Sequence, residues 1–280
     1  MQRITCEGAP RDLGLDQGRA CRDAIRADVR ALGWEAEGGW LAAWRRPRGM
    51  HPRRSLVRDL ARHFPHLDER TTGLAAGADL PREALLVLLE EELGDGPVLA
   101  VGVTLERGAV QLVARLHTPF PPTGLVARIA RPDGGYPYLA LTRPGVAAAL
   151  AGVNAHGLAG VVEGIDPPAS RGRERCGVSG ALLLDQCLER LDSVEKALDW
   201  CERRPGGGRA RLVFADASGA SAAIDVNGDT RTRYEAPVLE VGEGERAGLV
   251  LLDPATRTVE LHEPAGGVER IALDPAAREA

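Results

Sequence analysis

Apolar residues recur along the first third of the chain at helical spacing. The stretch 10–32 places an apolar residue every three or four positions, which predicts an amphipathic helix after a short strand at 2–6. Two shorter helices are predicted at 54–63 and 81–93, and Pro81 in the first turn marks the start of the second. The pattern therefore predicts a mostly helical part over residues 1–93.

From residue 94 onward the pattern changes to short apolar runs separated by turn residues. Such runs favour strands joined by hairpins, and the clearest turn signals are Glu106-Arg107-Gly108 and Pro132-Asp133-Gly134-Gly135. The predicted strands are 98–105, 109–116, 124–130, 136–141, 147–153, 158–162, 210–214, 220–226, 230–234, 248–252 and 258–261.

Two helices interrupt the predicted strands. The first covers 180–191, and the second begins at Asp192 or Ser193, where Asp192 and Glu195 have the spacing of a capping box. No linker or low-complexity tract divides the chain, so we expect a single domain over 1–280, with the sheet core in 94–280 and the helix pair in 180–203. Helices and strands in this order predict an α+β sandwich with mainly antiparallel sheets.

Composition narrows the function classes. Hydrophobic residues make up 44% of the chain, which suffices for a sizeable core, and the formal net charge of −5 gives no basic footprint for nucleic acid. No phosphate-binding loop, dinucleotide fingerprint or zinc spacing occurs, so we expect no cofactor and no metal.

Cysteine usage and the apolar runs indicate a compartment. The five cysteines are odd in number and form no C-x-x-C pair, which favours free thiols in a reducing cytoplasm; they are Cys6, Cys21, Cys176, Cys187 and Cys201. The first residues carry no signal-peptide pattern, and no apolar run reaches the ~20 residues of a membrane helix. A cytoplasmic protein without membrane partners is expected, and its oligomeric state is left open.

Four short motifs follow one another in a familiar order. They are GAPRDLG followed by QG at 8–18, GVNAHGL at 152–158, the helix pair within 184–197, and LVFADASG at 212–219. The ordered set resembles the acyl-CoA:6-aminopenicillanic acid acyltransferase (isopenicillin N acyltransferase) family of Ntn hydrolases. This resemblance implies a four-layer αββα sandwich and a small-molecule or peptide substrate.

The resemblance also locates a departure from the family's chemistry. In that family the precursor cleaves itself before a cysteine, which then acts as nucleophile and, through its own amino group, as base. The cysteine position falls here on Val98, or on Pro97 if the loop is one residue shorter, and neither can attack a carbonyl. We therefore expect one uncleaved chain of 29.7 kDa.

Two ionisable residues fall at the family's other catalytic positions. The orienting aspartate position falls on Leu116 or His117, and the oxyanion-stabilising asparagine falls on Glu163. A histidine and a carboxylate facing one cavity can perform acid–base chemistry, so His117 and Glu163 are the predicted catalytic residues. The resemblance implies that the substrate-binding residues are Val98, Arg115, Thr118 and Asn154.

Other candidate nucleophiles have simpler structural interpretations. Thr104 lies at the wrong end of its strand, Cys6 fits a core position, and the Ser193-x-x-Lys196 pattern is explained by helix capping.

Two hypotheses on function follow. The first is a divergent Ntn-hydrolase-fold enzyme that acts on an amide, ester or thioester with His117 and Glu163 in place of the cysteine. The second is a catalytically inactive relative that binds a ligand or a partner protein. The first hypothesis predicts that His117 and Glu163 approach each other close to the backbone at Val98. The strand that begins near Val98 is expected to lie in the middle of its sheet.

Overall fold

The computed structural model describes residues 1–32, 54–92, 98–106, 109–116, 124–164, 179–205, 209–239, 248–263 and 267–274. The helices in these ranges are α1 (Pro10–Ala20), α2 (Arg22–Ala31), α3 (Arg54–His63), α4 (Pro65–Ala78), α5 (Arg82–Glu92), α6 (Gly180–Arg190) and α7 (Val194–Arg203). The strands are β1 (Gln2–Gly8), β2 (Val98–Glu106), β3 (Ala109–Leu116), β4 (Val126–Pro132), β5 (Tyr138–Thr142), β6 (Ala151–Asn154), β7 (Ala159–Gly164), β8 (Arg209–Ala215), β9 (Ser221–Asn227), β10 (Thr230–Glu235), β11 (Leu249–Asp253), β12 (Thr258–His262) and β13 (Val268–Ala272).

The strands form two sheets. The larger has eight strands in the order β1-β4-β5-β6-β7-β8-β9-β10, and the smaller has five in the order β13-β12-β11-β3-β2. All neighbouring strands are antiparallel except β1 and β4, which run parallel. The predicted α+β class with mainly antiparallel sheets is confirmed.

The two sheets pack face to face. Strands β2 and β3 lie against β7 and β8, and β11 and β12 lie against β6. One core cluster includes Leu112 of β3, Val250 of β11, and Val161 and Val213 of the larger sheet, all without exposed surface. This burial of apolar side chains from both sheets is the main force that holds the layers together.

The other face of the larger sheet carries helices. The helix α6 lies across β5 to β8 and α7 lies across β8 and β9, while α1 covers β1 and β4. The predicted pairing of α6 and α7 on one outer face is confirmed. Within the described part of the chain, no helix combines the length and apolar character needed to cross a bilayer.

The helical part differs from its prediction in two places. The single helix predicted over 10–32 is broken at Cys21, which leaves helical geometry at φ −112° and ψ 14°. The helix α4 was not predicted, because its small residues produce no clear amphipathic pattern. It is placed by a contact with α1 in which the two backbones touch.

The contact between α1 and α4 depends on two glycines in each helix, spaced four residues apart. A β-carbon at Gly14 would lie 1.9 Å from the Arg70 carbonyl oxygen, and one at Gly73 would lie 1.9 Å from the Arg11 carbonyl oxygen. Gly18 and Gly77 repeat the arrangement one turn further along. Gly14 and Gly18 of the first family-like motif therefore serve helix packing.

The strand that begins at Val98 is not central, and that prediction is wrong. β2 stands last in the order of its sheet, with β3 on one side. Among the described residues, its other side meets only an isolated parallel bridge. There the Val103 amide donates to the Pro237 carbonyl at 2.7 Å, and the Val103 carbonyl accepts from the Leu239 amide at 3.0 Å. The sequence predicted the hairpin with β3, but the second neighbour depends on where residues 237–239 return in space.

Helix α7 begins at the predicted place with a different cap. The predicted capping box does not form: Ser193 is the N-cap and makes no side-chain capping bond. The Val194 amide instead donates to Asp216 Oδ2 at 3.0 Å, and Asp192 pairs with Lys196 at 2.7 Å. Asp216, from the LVFADASG motif, thus ties the turn between β8 and β9 to the start of α7.

Candidate functional site

Glu163 lies near the end of β7 and faces the smaller sheet. Gly160 and Val162 of the same strand contact α6 residues and Gly180, so they point to the helical face. Alternation along the strand directs Glu163 to the opposite face. Its side chain retains 15% of its exposure, so Glu163 is mostly buried but not closed off from solvent.

A polar row continues from Glu163 across three more strands. Arg211 on β8 is directly opposite Glu163, and Asp225 on β9 is directly opposite Arg211. Arg211 Nη1 lies 3.5 Å from Glu163 Oε2, while its Nε and Nη2 donate to the two Asp225 oxygens at 3.0 and 3.3 Å. The Tyr234 hydroxyl donates to Asp225, and the Arg211 guanidinium lies 5.1 Å from the Tyr234 ring centre.

We name Glu163, Arg211, Asp225 and Tyr234 the polar row, and its electrostatics centre on Glu163. Burial raises the pKa of Glu163, Arg211 lowers it, and Asp225 raises it, with a net shift upward. The hydrogen bond to Asp225 is the largest influence raising the pKa of Arg211, which keeps the guanidinium charged. The row therefore combines a carboxyl that protonates more readily than usual with a permanent cation.

Most of the other predicted site residues cannot be placed against the polar row. Pro97, His117 and Thr118 lie outside the described residues, as does the side chain of Val98, whose backbone begins β2 opposite Leu116. Arg115 is partly buried on β3, opposite Leu249 of β11. The approach of His117 to Glu163 remains a prediction.

The Asn154 side chain makes four hydrogen bonds within the fold. It is fully buried, and its amide nitrogen donates to the carbonyls of Leu188 and Leu191 at 2.9 and 2.6 Å. Its side-chain oxygen accepts from the amides of His156 and Leu158 at 3.0 Å each. These four bonds join the end of α6 to the turn between β6 and β7, so the structure gives Asn154 a structural role.

A second polar cluster, missed by sequence reasoning, lies between the sheet and the helices. Arg70 of α4 donates to Tyr138 at 2.8 Å, to Asp185 at 2.5 Å and to Glu189 at 2.9 Å. Arg128 of β4 donates to Asp185 as well, and its Nη1 donates to Gln17 of α1 at 2.9 Å. We name Gln17, Arg70, Arg128, Tyr138, Asp185 and Glu189 the buried network.

The buried network is electrically balanced and closed. It contains two guanidinium groups and two carboxylates, and each member keeps at most 6% of its exposure. Burial lowers the pKa of Arg70, but Tyr138 and Asp185 raise it more, so the group stays charged. Members come from five elements and pair with one another through the terminal guanidinium nitrogens, while Nε of Arg70 and of Arg128 has no hydrogen-bond partner among the described residues. This pairing across elements identifies the network as a connection within the fold. The available sequence signal was Asp185 within an otherwise apolar helix face.

A surface cleft of about 340 Å³ opens beside α7 on the helical side. Its walls carry three cationic side chains and the Asp199 carboxylate around an indole. Lys196 pairs with Asp192 at 2.7 Å and Arg203 lies 3.7 Å from Asp199, while the Arg204 guanidinium lies 5.2 Å from the Trp200 ring centre. The lining residues are Leu191, Lys196, Asp199, Trp200, Arg203 and Arg204. Such a cleft suits an anion with an apolar part.

Comparison with known proteins adds a likeness at the level of solved structures. No family model matches this chain, and no curated protein matches it. Among solved structures, the chain is similar to the penicillin V acylase from Agrobacterium tumefaciens, with 14% identity, coverage of 62% of this chain and 86% of that chain, and a TM-score of 0.42. A likeness at this level carries no argument about activity or substrate, so the chemistry of the described residues has to support the functional conclusion.

Proposed function

We propose that this protein is a divergent Ntn-hydrolase-fold enzyme that cleaves or transfers an acyl group from an amide, ester or thioester without a cysteine nucleophile. The substrate is a small molecule or a modified peptide, in keeping with the resemblance to the acyl-CoA:6-aminopenicillanic acid acyltransferase family. The observation that carries the proposal is Glu163, a mostly buried carboxyl with a raised pKa beside a fixed guanidinium.

The polar row suits acid–base chemistry on a carbonyl compound. A carboxylate whose pKa is raised toward neutrality is a stronger base, and it can take a proton from an attacking water or alcohol. Arg211 is held charged by Asp225, and a cation beside the carbonyl favours the negative charge that develops on its oxygen. Glu163 alone would repel that charge, so Arg211 is the group that makes the site workable. His117 would be the second proton-transfer group.

The test uses chromogenic acyl substrates of each class. An acyl p-nitroanilide, a p-nitrophenyl ester and an acyl-CoA thioester with thiol detection are assayed with wild-type protein and Glu163→Gln. We expect Glu163→Gln to lower kcat/KM about 10²–10⁴-fold on the accepted substrate, the usual contribution of a general base. Glu202→Gln is the matched control, since Glu202 also pairs with an arginine but on α7 at the helical side.

The pH dependence separates base catalysis from a structural effect. Because the pKa of Glu163 is raised above 4.5, its carboxylate form appears at higher pH than that of an ordinary glutamate. The wild-type rate should rise with pH through that pKa and Glu163→Gln should lose this limb. An active wild type whose rate and pH profile are unchanged in Glu163→Gln would disprove the proposed role.

A non-catalytic, ligand-binding relative is the second candidate, and the cleft beside Trp200 favours it. The Arg204 guanidinium beside the Trp200 indole suits an aromatic carboxylate, while Lys196 and Arg203 pair with Asp192 and Asp199. Calorimetry with phenylacetate, with neutral phenylacetamide as the matched ligand, tests it in wild type and in Arg204→Gln. Carboxylate binding that Arg204→Gln abolishes, together with no turnover of any acyl substrate, would support this candidate over the first.

A further inference from the structure

Two cysteines on neighbouring helices touch through their sulfur atoms. Cys187 of α6 and Cys201 of α7 have their Sγ atoms 3.7 Å apart, and neither residue has exposed surface. Both belong to the core cluster under the helix pair. Apolar packing explains their burial, but it does not require two sulfur atoms to meet.

The contact is held from both sides of the short connection between the helices. Asn154 binds the carbonyls of Leu188 and Leu191 at the end of α6, and Asp216 binds the Val194 amide at the start of α7. Farther along α7, Arg231 donates to the Cys201 carbonyl at 3.2 Å. These bonds fix the two backbones that present the thiols, so the sulfur contact belongs to the folded arrangement.

We propose that Cys187 and Cys201 are a modification site. A low-molecular-weight disulfide of the glutathione type oxidises the pair, and the resulting protein disulfide links α6 to α7. A disulfide needs its sulfur atoms about 2.05 Å apart, so the two Sγ atoms, now 3.7 Å apart, must approach by about 1.7 Å. One thiolate attacks the small disulfide and releases one small thiolate. The second cysteine thiolate then displaces the other small thiolate, so two cysteine thiols and one small disulfide give one protein disulfide and two small thiols.

Burial sets the speed of this reaction. It raises the pKa of the Cys187 thiol well above 9.0, so the reactive thiolate is scarce in the closed fold. Reaction therefore proceeds through local opening of α7, whose outer side is exposed. The pair therefore reacts slowly and is oxidised only under sustained oxidation. The resulting disulfide is a reversible covalent link between the two helices.

Cys6 and Cys21 provide an internal comparison. Both are buried, and burial raises the pKa of each thiol to about 11. Cys6 is close enough to Cys21 to contribute to the raised pKa of its thiol. Among the described residues, however, a contact between two sulfur atoms is found for Cys187 and Cys201 alone. Burial is thus common to these cysteines, and the sulfur contact distinguishes Cys187 and Cys201 as the pair that forms the disulfide.

The experiment is oxidation of the whole chain followed by peptide mapping. Protein carrying Cys176→Ser is incubated with oxidised glutathione at pH 8, with and without dilute urea, and its free thiols are then alkylated. Trypsin separates the pair into peptides 176–190 and 197–203, so the link appears as one joined species that reductant divides. We expect an intact mass lower by about 2 Da before alkylation, the joined peptides in the map, and a Tm higher by several degrees because a short loop is closed.

Two results would overturn the inference. One is an unchanged thiol count after oxidation in dilute urea at pH 8, where α7 opens and thiolate forms. The other is a joined species that involves Cys6 or Cys21 in place of the expected peptides. The further variant Cys201→Ala should keep peptide 176–190 unlinked. Since the map of the Cys176→Ser protein is decisive alone, the test holds even if Cys201→Ala folds poorly, and it is independent of the proposed enzyme activity.

Discussion

At the scale of single residues, buried charge occurs here in two forms with different consequences. The polar row keeps one side open to solvent and contains a carboxyl whose pKa is raised. The buried network is closed, and its two arginines and two carboxylates neutralise one another. Only the first form leaves a group available to a ligand, and this difference supports Glu163 over Asp185 as the candidate for chemistry.

The buried network predicts a strong asymmetry between variants. Arg70→Met leaves Asp185 and Glu189 without their shared cation in a dry interior, so the free energy of unfolding should fall by about 3–5 kcal/mol. Arg3→Met also breaks an ion pair, with Glu269, but Arg3 is 52% exposed and the loss should stay below about 1 kcal/mol. Urea denaturation of both variants measures the difference. Equal losses would show that the network is not effectively buried.

At the scale of elements, the helical layer is positioned by side chains and glycines from outside each helix. Asp216 caps α7 from a hairpin turn, where it also accepts from the Ser218 amide at 2.9 Å. Asn154 holds the end of α6 from another turn. Because turns of the larger sheet fix the ends of both helices, the helix pair follows the sheet rather than its own local signals.

The cap supplied by Asp216 gives a test against the predicted capping box. Asp216→Ala should cost about 1–2 kcal/mol of unfolding free energy, because it removes the α7 cap and a bond within the turn. Asp192→Ala removes only an exposed pair with Lys196 and should change it by less than about 0.5 kcal/mol. Thermal and urea unfolding report both. A larger loss of unfolding free energy from Asp192→Ala than from Asp216→Ala would show that the capping box, and not Asp216, caps α7.

The glycine contact between α1 and α4 predicts a severe effect from one added methyl group. Gly14→Ala places a β-carbon 1.9 Å from the Arg70 carbonyl, so the helices must separate and the free energy of unfolding should fall by about 3 kcal/mol or more. Gly228→Ala is the comparison: its φ is +56° with open space around it, so only backbone strain of about 1–2 kcal/mol is expected. If the two losses in urea were alike, the backbones would not be in contact.

At the scale of the whole molecule, two stacked sheets bring distant parts of the chain to one face. The polar row draws on four strands of the larger sheet, and β2, which begins at Val98, lies across from β7 in the smaller one. The strand at whose start the resemblance places the family's cysteine position therefore packs against the strand that carries Glu163. The single-domain extent over 1–280 remains a prediction.

The chain should stay in one piece. Self-cleavage needs a hydroxyl or thiol to attack the preceding peptide bond, and Pro97 and Val98 have neither. An intact-mass spectrum of purified protein should show the full 29.7 kDa chain, before and after days of incubation. Two fragments divided between Gly94 and Val98 would mean that another group supplies the nucleophile.

The sequence by itself determined the features that depend on near neighbours along the chain. The β2–β3 and β4–β5 hairpins and the Leu-rich α6 were predicted, since apolar period and turn residues act within a few positions. The start of α7 was also predicted at the right place, but its cap comes from the distant Asp216 and not from the predicted capping box. Glu163 was singled out by the family-like motif around Asn154, and its position on a strand end is confirmed.

Only the tertiary structure decided which distant elements meet. The parallel pairing of β1 with β4, the edge position of β2, the backbone contact of α4 with α1 and the buried network each join residues far apart in sequence. Arg211, Asp225 and Tyr234 joined Glu163 for the same reason, because strand order and register set their meeting. Local pattern cannot specify such partners, since burial, charge pairing and close packing select them only when the whole chain has folded.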